Sequence, residues 1–576
     1  MTDRELYRFG EFTLDVQDRR LSRGSSTVPL APKAHDLLVT LVRRAGRLVT
    51  RQELLDLVWP DAFVEEGILS VHVSGLRKAL GESNGSQTYI ETVPRSGYRF
   101  VAPVTASLTA EVRALAVLPA QPAEPDVSAD DTALGLAIAD ALIDALGSLS
   151  DIVVRPLRAS HRFINAAEDP ADIARSLQAD AVVTSTFARS VTGLRVSAKV
   201  VRAGDGICLW NGEFTDAPVD GRLAMSAAIA RSLAHTLCLP ARTSSETAHQ
   251  VQGVPPLGRL FSRSVDPRVY ELLGRGRLQI LSASMLDASK AIDAYRSAVE
   301  LDPTYAPAHA GLALAHCAAV EARAVSPADG YRDARTSALR ALAMDDRCAD
   351  AQLALGAVLF LGEWDWAAAE RSFLRALELN PNHTEAYLLL GRLLEARGRL
   401  EDGLAMKLRA LERDPFSPLV HLQIAMAYWH QRRYDDAIAW ANKTLALDPK
   451  HLTAREQVAG AYLKKGDVDR YMQESLRHAE SFGVPDSVLA PLKQAYETGG
   501  RPAVVRYALD QLREGAPAMQ LAIFSGELGD LDAAFHHLNR AIDARDPCLV
   551  HLAVAPQWDD LRSDPRFDQC LARMRL

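Results

Sequence analysis

The stretch VHVSGLRKALGESNGSQTYIETVPRSGYRF, residues 71–100, contains two patterns of different period. In its first part and just before it, the apolar residues that recur every three or four positions are Leu69, Val73, Leu76 and Leu80. This spacing is that of one face of an α-helix. Alternating residues follow and are interrupted by the turn Pro94-Arg95-Ser96-Gly97. The stretch therefore predicts a helix followed by a β-hairpin with Arg95 at its tip.

The helix face opposite the apolar stripe is small and polar, with cations at its edges. At 100° per residue, this face holds Val71, Ser74, Gly75 and Lys78, with His72 and Arg77 on its flanks. Short side chains permit close approach to a surface, and Arg and Lys reach bases or phosphates. We interpret this face as suited to the major groove of DNA.

The residues upstream complete a small domain. Alternating runs over residues 7–30 predict an antiparallel sheet, and the periodic segment KAHDLLVTLVRRAG predicts a first helix. Thr50 is the expected N-cap of a second helix, RQELLDLVW, with Glu53 as its capping-box partner. Pro60 is expected to end that helix.

Sheet, three helices and a terminal hairpin, in this order, resemble the OmpR/PhoB-type winged helix-turn-helix of bacterial transcription regulators. The motifs that carry the likeness over residues 1–105 are LAPKAHDLL, LVTRQELLDLVWPD, VHVSGLRKALG and YIETVPRSGYRF. The resemblance implies that the third helix enters the major groove of double-stranded DNA and that the hairpin tip reaches the minor groove. It implies these DNA-binding residues: His72, Ser74, Arg77 and Lys78 on the third helix, Arg95 on the wing, and Arg51 as a phosphate contact. Family members often have Arg where this chain has Ser74 or Gly75, so base readout is expected to be thin or to use DNA shape.

The distribution of charge limits where nucleic acid can bind. The chain has 576 residues and a net charge of -8. Residues 1–105 hold 14 Lys and Arg against 13 Asp and Glu, whereas the remainder holds 51 against 60. DNA contact must therefore come from a local patch near the N-terminus rather than from a basic surface overall.

Two other interpretations of the first domain stay open. The segment LRKAL by itself is also typical of an ordinary amphipathic helix with solvated charges. The whole chain could also be a repeat-based scaffold or adaptor whose winged helix mediates protein contacts. Salt-dependent binding to DNA distinguishes these from a DNA-binding regulator, because phosphate contacts release counterions.

Residues 113–240 predict a small α/β module. A strand in RALAVLPA, a helix in DDTALGLAIADALIDALGSL and a strand in DIVVRP form a parallel βαβ unit. A further helix, DPADIARSLQ, precedes three strands and a closing helix over residues 219–238. The order, with the phrases ALAVLPA, DAVVTSTF and CLWNGEF, resembles the N-terminal α/β module related to TolB.

Residues 241–264 are polar and rich in turn formers, which predicts a linker. From residue 265 to 576 the landmark is an acid or amide before proline: Asp302-Pro303, Asn380-Pro381, Asp414-Pro415 and Asp448-Pro449. The last three of these prolines are 34 residues apart, the period of tetratricopeptide repeats (TPRs). Inserted loops are expected near Val325 and Trp364, and a degenerate copy with Ala534 and Ala541 is expected to cap the array. The fold class is thus multidomain: an α+β winged helix, a small α/β domain and an all-α solenoid.

Such a solenoid presents a groove lined by the first helix of each repeat, where a protein, a peptide or another ligand binds. The candidate groove residues are Arg392, Met426, Trp429, His430 and Lys464. Any one of them could equally be an ordinary solvated position. The closing stretch WDDLRSDPRF also resembles the C-terminal end of CadC-related regulators with repeats.

The remaining features exclude several classes of protein. The six cysteines form no CxxC pair, which favours the cytoplasm, and no stretch reaches the length of a membrane helix. No HExxH or P-loop motif is present, and we expect neither an enzyme, nor a cofactor, nor a metal site. No receiver domain is expected, so regulation would enter through the repeats, with a possible homodimer on DNA.

Overall fold

The computed structural model groups the described residues up to Val112 into one compact unit and those from Arg113 onward into a second. The structure describes residues 4–16, 18–23, 26–45, 48–59, 67–82, 89–94, 96–102, 105–109, 112–124, 128–149, 152–164, 166, 168–190, 193–215, 229, 233, 266–282, 285–481, 483–512 and 516–576.

The first unit opens with an antiparallel sheet whose strand order is β4-β3-β2-β1-β8. Its strands are β1 (Arg4–Phe9), β2 (Phe12–Asp15), β3 (Arg20–Arg23), β4 (Ser26–Val28) and β8 (Thr105–Thr109). The predicted N-terminal sheet is confirmed. Thr105–Thr109 also pairs along β1, because the open edge of β1 offers unpaired backbone groups.

Three helices and a second small sheet complete this unit. The helices are α1 (Pro32–Arg43), α2 (Arg51–Val58) and α3 (Gly67–Ala79). The strands, in the order β5-β7-β6, are β5 (Leu48–Thr50), β6 (Ile90–Val93) and β7 (Gly97–Phe100). A Cβ added at Gly97 would collide with the carbonyl of Val49, so the close pairing of β5 with β7 requires glycine there. The hairpin β6–β7 is the predicted wing. Arg95, which was predicted at the tip of this hairpin, and Pro60, which was predicted to end α2, lie outside the described residues.

The second unit begins with the predicted α/β module. Its main strands are ordered β11-β9-β12-β13-β14, with β10 (Gln121–Pro122) pairing β12 off this path. Its other strands are β9 (Ala114–Val117), β11 (Val153–Val154), β12 (Ala181–Ser190), β13 (Gly193–Arg202) and β14 (Cys208–Thr215). Its helices are α4 (Ala129–Gly147), α5 (Leu157–Ser160) and α6 (Pro170–Ser176). β11 runs parallel to β9 after α4, which confirms the βαβ unit; the closing helix over residues 219–238 and the linker fall largely or wholly outside the described residues.

Antiparallel helix pairs make up the rest of the second unit. The helices are α7 (Pro267–Ser282), α8 (Met285–Leu301), α9 (Ala306–Glu321), α10 (Pro327–Met344), α11 (Ala349–Ala357), α12 (Trp366–Leu379), α13 (Thr384–Ala396), α14 (Leu400–Arg413), α15 (Pro418–His430), α16 (Tyr434–Leu447), α17 (Leu452–Lys464), α18 (Val468–Ser481), α19 (Asp486–Gln511, kinked at Gly500), α20 (Ala518–Glu527), α21 (Leu531–Asp543) and α22 (Pro565–Arg573). Small residues at the helix crossings are buried, including Ala534 and Ala541 of the predicted final copy.

The extra residues near Trp364 do not form the inserted loop expected from the sequence. Helix α11 continues into a π-helical turn, Val358–Glu363, which absorbs added length without breaking the helix. Trp364 then reverses the chain with a left-handed backbone (φ 57°) and is fully buried. Apolar packing explains the difference, because a loop would have left Phe360 and Trp364 exposed.

Within the described part of the chain, none of the helices combines the length and apolar character needed to cross a membrane. The described cysteines, which leave out Cys238, are all free thiols.

Candidate nucleic-acid interface

Helix α3 is divided sharply into a buried and an exposed face. Leu69, Val73 and Leu76 are buried in the core of the first unit. On the opposite face, Ser74, Gly75 and Lys78 are exposed, and Val71 is 69% exposed. A Cβ built on Gly75 meets no atom within 4 Å, so this glycine is not needed for internal packing. The face that lies opposite the apolar stripe is therefore exposed, and its contact with DNA stays a prediction.

Arg77 is anchored to the wing. Its Nη2 donates to the carbonyl of Ile90 at 2.7 Å and to Thr92 Oγ1 at 2.8 Å, and its Nε lies 3.3 Å from Glu82 Oε2. These bonds direct the guanidinium toward β6. In this structure Arg77 joins the helix to the hairpin, a role that the sequence did not indicate.

Glu82 completes the same junction and was missed from the sequence. Its Oε1 accepts hydrogen bonds from the backbone amides of Tyr89 at 2.7 Å and Ile90 at 2.8 Å. A carboxylate just beyond the C-terminus of a helix faces the negative end of the helix dipole, which is unfavourable. The unfavourable position of the Glu82 carboxylate was the one sign in the sequence that this residue has a specific structural role.

His72 and Arg51 border the exposed face differently. The ring of His72 is half-buried and packs against Trp59, with 5.4 Å between centroids. Arg51 is the first residue of α2, and its backbone amide donates to the carbonyl of Ser96 in the wing turn at 3.2 Å. The predicted capping box between Thr50 and Glu53 is present. The start of α2 and the wing turn are therefore held together beside α3.

The predicted partner groove of the repeats is largely occupied by the chain itself. The 3₁₀ segments Pro547–His551 and Pro556–Leu561 pack against the repeat helices, and Leu549, Val550 and Trp558 share one apolar core with Leu390 and Leu393. The Nε1 of Trp366 donates to the carbonyl of Met574 at 3.0 Å.

Three of the five candidate groove residues contact the segment 547–561. His430 is only 2% exposed and stacks on His551, so it does not face an open groove. Arg392 has its carbonyl 3.1 Å from His551 Nε2 and its Nη1 3.3 Å from Glu321 Oε1. Trp429 Nε1 donates to Gln557 Oε1 at 3.4 Å. Met426 and Lys464 are half-buried.

A buried charge cluster lies beneath this covered groove. Lys407 Nζ is 2.7 Å from Glu395 Oε1, and both side chains are fully buried. His430 Nδ1 is 2.9 Å from Glu395 Oε2, and His551 completes a group with metal-ligand character. Lys407 already contacts both oxygens of Glu395 and donates to the carbonyl of Gln423 at 2.8 Å. We therefore interpret the cluster as an internal ion-pair network.

Two family models match this chain. Residues 25–100 match the model described as "Transcriptional regulatory protein, C terminal". Residues 365–418, 402–451 and 422–470 match the model of the tetratricopeptide repeat. The predicted domain of the OmpR/PhoB type and the predicted repeats are both confirmed, whereas the likeness of the middle module to TolB stays a prediction.

The similarity to two curated transcription regulators extends over about a hundred residues. The chain is 35% identical over 98 residues to the transcriptional activator CadC of Escherichia coli, covering 17% of this chain and 19% of CadC. It is 43% identical over 94 residues to the phosphate regulon regulatory protein PhoB of Rhizobium meliloti, covering 16% of this chain and 41% of PhoB. The solved DNA-binding domain of E. coli CadC is 32% identical, covers 18% of this chain and 98% of that domain, and has a TM-score of 0.17. The chain thus spans less than half the length of each of these two curated relatives.

Proposed function

We propose that this chain, which carries a domain of the OmpR/PhoB type and tetratricopeptide repeats, is a transcription regulator that binds double-stranded DNA. The observation that carries the proposal is the exposed face of α3, where Ser74, Gly75 and Lys78 stand opposite a fully buried stripe. A helix with short side chains on its outer face can approach base edges closely in the major groove.

In this proposal the residues of the interface have different tasks. Lys78 contacts a phosphate, and Ser74 contributes a short hydroxyl that hydrogen-bonds without holding the helix away from DNA. His72 lies at the rim beside Trp59, and Arg51 neutralises a phosphate from the start of α2. Arg95 at the wing tip enters the neighbouring minor groove. Arg77 acts mainly as a positioning residue, because its guanidinium is engaged with Ile90 and Thr92.

The second unit supplies the regulatory input in this proposal. Tetratricopeptide repeats are typical of proteins that bind partners, and a protein or peptide is the first class of partner to test. Because residues 547–561 cover Arg392, Trp429 and His430, we expect a partner to use the half-buried surface toward Met426 and Lys464 instead. No enzyme activity and no cofactor are part of the proposal, and we place the protein in the cytoplasm.

Mapping of DNA bound by the full chain across its genome tests the proposal, with two variants as comparators. Lys78→Ala is expected to weaken binding to every recovered fragment and to reduce the slope of log K against log salt by about 0.9, the value for one lost phosphate contact. Arg77→Ala is expected to weaken binding while leaving the salt slope nearly unchanged, since it acts through the wing. If the recovered duplexes share a single half-site, one copy of the chain binds. If they share two half-sites at a fixed spacing, a homodimer binds.

The alternative, a scaffold or adaptor whose winged helix contacts protein, predicts a different result. It requires no enrichment of specific DNA and no dependence of binding on salt of the kind that counterion release produces. Either finding would contradict the regulator proposal.

A further inference from the structure

A cavity of about 190 Å³ lies inside the second unit, where α4 of the α/β module packs against the first helices of the repeat region. The packing around it is close. A Cβ added at Gly274 of α7 would collide with the carbonyl of Ala133 in α4, so the backbones of the two helices are in contact. The crossing of α4 and α7 beside the cavity is therefore fixed by backbone contact.

Part of the cavity lining is aromatic. Tyr270, Tyr295 and Tyr305 line it and are themselves buried. The ring of Tyr295 fits between Gly276 and Gly311, where an added Cβ would overlap it. Electron-rich ring faces attract organic cations and also pack well against apolar groups.

The lining also carries four carboxylates, two of which have cationic partners. Arg277 Nε lies 3.2 Å from Asp140 Oδ1, and His383 Nε2 lies 2.9 Å from Asp350 Oδ1. Burial alone would lower the pKa of His383, but its hydrogen bonds to Asp350 and Glu385 outweigh burial and raise that pKa to about 10. His383 is therefore protonated at neutral pH and neutralises Asp350.

The remaining two carboxylates form no ion pair among the described residues. Asp144 Oδ1 accepts a long hydrogen bond from Asn380 Nδ2 at 3.5 Å. Asp345 Oδ1 accepts from the backbone amide of Arg347 at 3.0 Å, while its buried Oδ2 has no hydrogen-bond partner in the described part of the chain. A buried carboxylate oxygen without a partner is costly unless something else satisfies it.

The electrostatic setting of Asp144 agrees with this imbalance. Asp144 is exposed at the edge of the cavity, and partial desolvation together with the nearby carboxylates of Asp350 and Asp140 raises its pKa above the ordinary value. A positive charge placed in the cavity would stabilise the ionised form of Asp144.

We propose that this cavity binds a small organic cation, with its ammonium group between Asp144 and Asp345 and its apolar body against the three tyrosines. The inference rests on the proposed function, because it names the chemical class of the signal that a DNA-binding regulator would receive. The size of the ligand follows from the volume: an apolar cavity of about 150 Å³ holds benzene. A benzene-sized body with one ammonium group therefore fits.

Binding to the full chain tests the inference, with benzylammonium and n-butylammonium as probes and benzyl alcohol and benzoate as neutral and anionic matches. The Kd is measured by calorimetry and thermal shift. Saturable binding of the ammonium compounds is expected, with at least tenfold weaker binding for the alcohol and for benzoate. Asp144→Asn and Asp345→Asn should each weaken ammonium binding at least tenfold. The matched control Asp293→Asn, an exposed carboxylate outside the cavity, should leave it unchanged.

Three results would overturn the inference: no saturable binding of either ammonium compound, equal binding of the neutral match, or unchanged binding by Asp144→Asn and Asp345→Asn variants that keep the helical circular dichroism of the wild type. DNA retention by the same preparations separates this failure from that of the proposed function. If the chain binds DNA but no ammonium compound, only the cavity proposal is wrong. If the chain binds ammonium compounds but no DNA, the proposed function as a DNA-binding regulator is wrong.

Discussion

Arg77 and Glu82 hydrogen-bond to the two backbone groups of one residue, Ile90, at the start of the wing. Arg77 donates to its carbonyl at 2.7 Å, and Glu82 accepts from its amide at 2.8 Å. The two side chains are themselves 3.3 Å apart. Because Arg77 lies in the last turn of α3, the position of the hairpin is tied to the helix that we propose to enter the major groove.

Substitution of Glu82 should therefore loosen the wing without touching the exposed face of α3. In Glu82→Gln, the amide oxygen can still accept from Tyr89 and Ile90, but these bonds lose their charge assistance and Arg77 loses its carboxylate partner, at a cost of about 1–3 kcal/mol. The backbone amides of Tyr89 and Ile90 should exchange with solvent about 5- to 100-fold faster in the full chain. Glu91→Gln, on the exposed side of the same strand, is the matched control and should not change their exchange. Unchanged protection in Glu82→Gln would show that the junction does not hold the wing.

Gly75 should affect stability and DNA binding in opposite directions. Alanine in place of an exposed glycine within a helix stabilises it by up to about 1 kcal/mol, and no neighbour obstructs the added methyl. On the face toward DNA the same methyl holds the helix back, so Gly75→Ala should weaken specific DNA binding while slowing hydrogen exchange in α3. Gly67→Ala, at the start of α3 and also unobstructed, serves as the control. Stronger or equal DNA binding by Gly75→Ala would show that DNA does not contact this face of α3.

The sequence predicted the elements of this interface but not the use of Arg77. Periodicity and capping residues locate α2, α3 and the wing, because those signals are local. Whether a cation at position 77 reaches DNA or the wing depends on Ile90 and Thr92, which are 13 and 15 residues away and come into reach only once the hairpin has folded.

The buried pair Lys407–Glu395 should respond asymmetrically to substitution. Glu395→Gln leaves the buried Lys407 ammonium without its carboxylate, which is expected to lower the free energy of unfolding by about 3–5 kcal/mol. Adding Lys407→Met should recover part of that loss. Urea unfolding followed by circular dichroism checks both values, with Glu412→Gln as an exposed control expected to change stability by less than about 1 kcal/mol. Equal effects of Glu395→Gln and Glu412→Gln would contradict the burial of the pair.

His383 should make the stability of the second unit depend on pH. Its pKa is raised to about 10 in the folded chain, above the ordinary value of 6.5. The stabilisation from protonated His383 beside Asp350 and Glu385 is therefore complete below pH 6.5 and is lost as the pH rises toward 10. Compared with wild type, His383→Gln should be most destabilised near pH 6 and nearly equal at pH 10. A difference that stays constant over this range would show that His383 is not charged.

The repeats illustrate what a period can and cannot predict. Prolines 34 residues apart indicate the helical hairpins of the array, since the period reflects contacts between neighbours. The covering of His430 by His551 joins residues more than a hundred positions apart, and no periodic signal records it. For the same reason the sequence could not reveal the cavity beside Asp144, which is assembled from α4 and helices over a hundred residues later.

Protection of guanine N7 from methylation by dimethyl sulfate tests the placement of α3 most directly, because this atom lies in the major groove. We expect the full chain, bound to a duplex recovered from its own genome, to protect guanines within one major groove, and Gly75→Ala to weaken this protection. Specific binding that leaves every guanine N7 reactive, or an absence of binding at low ionic strength, would contradict it.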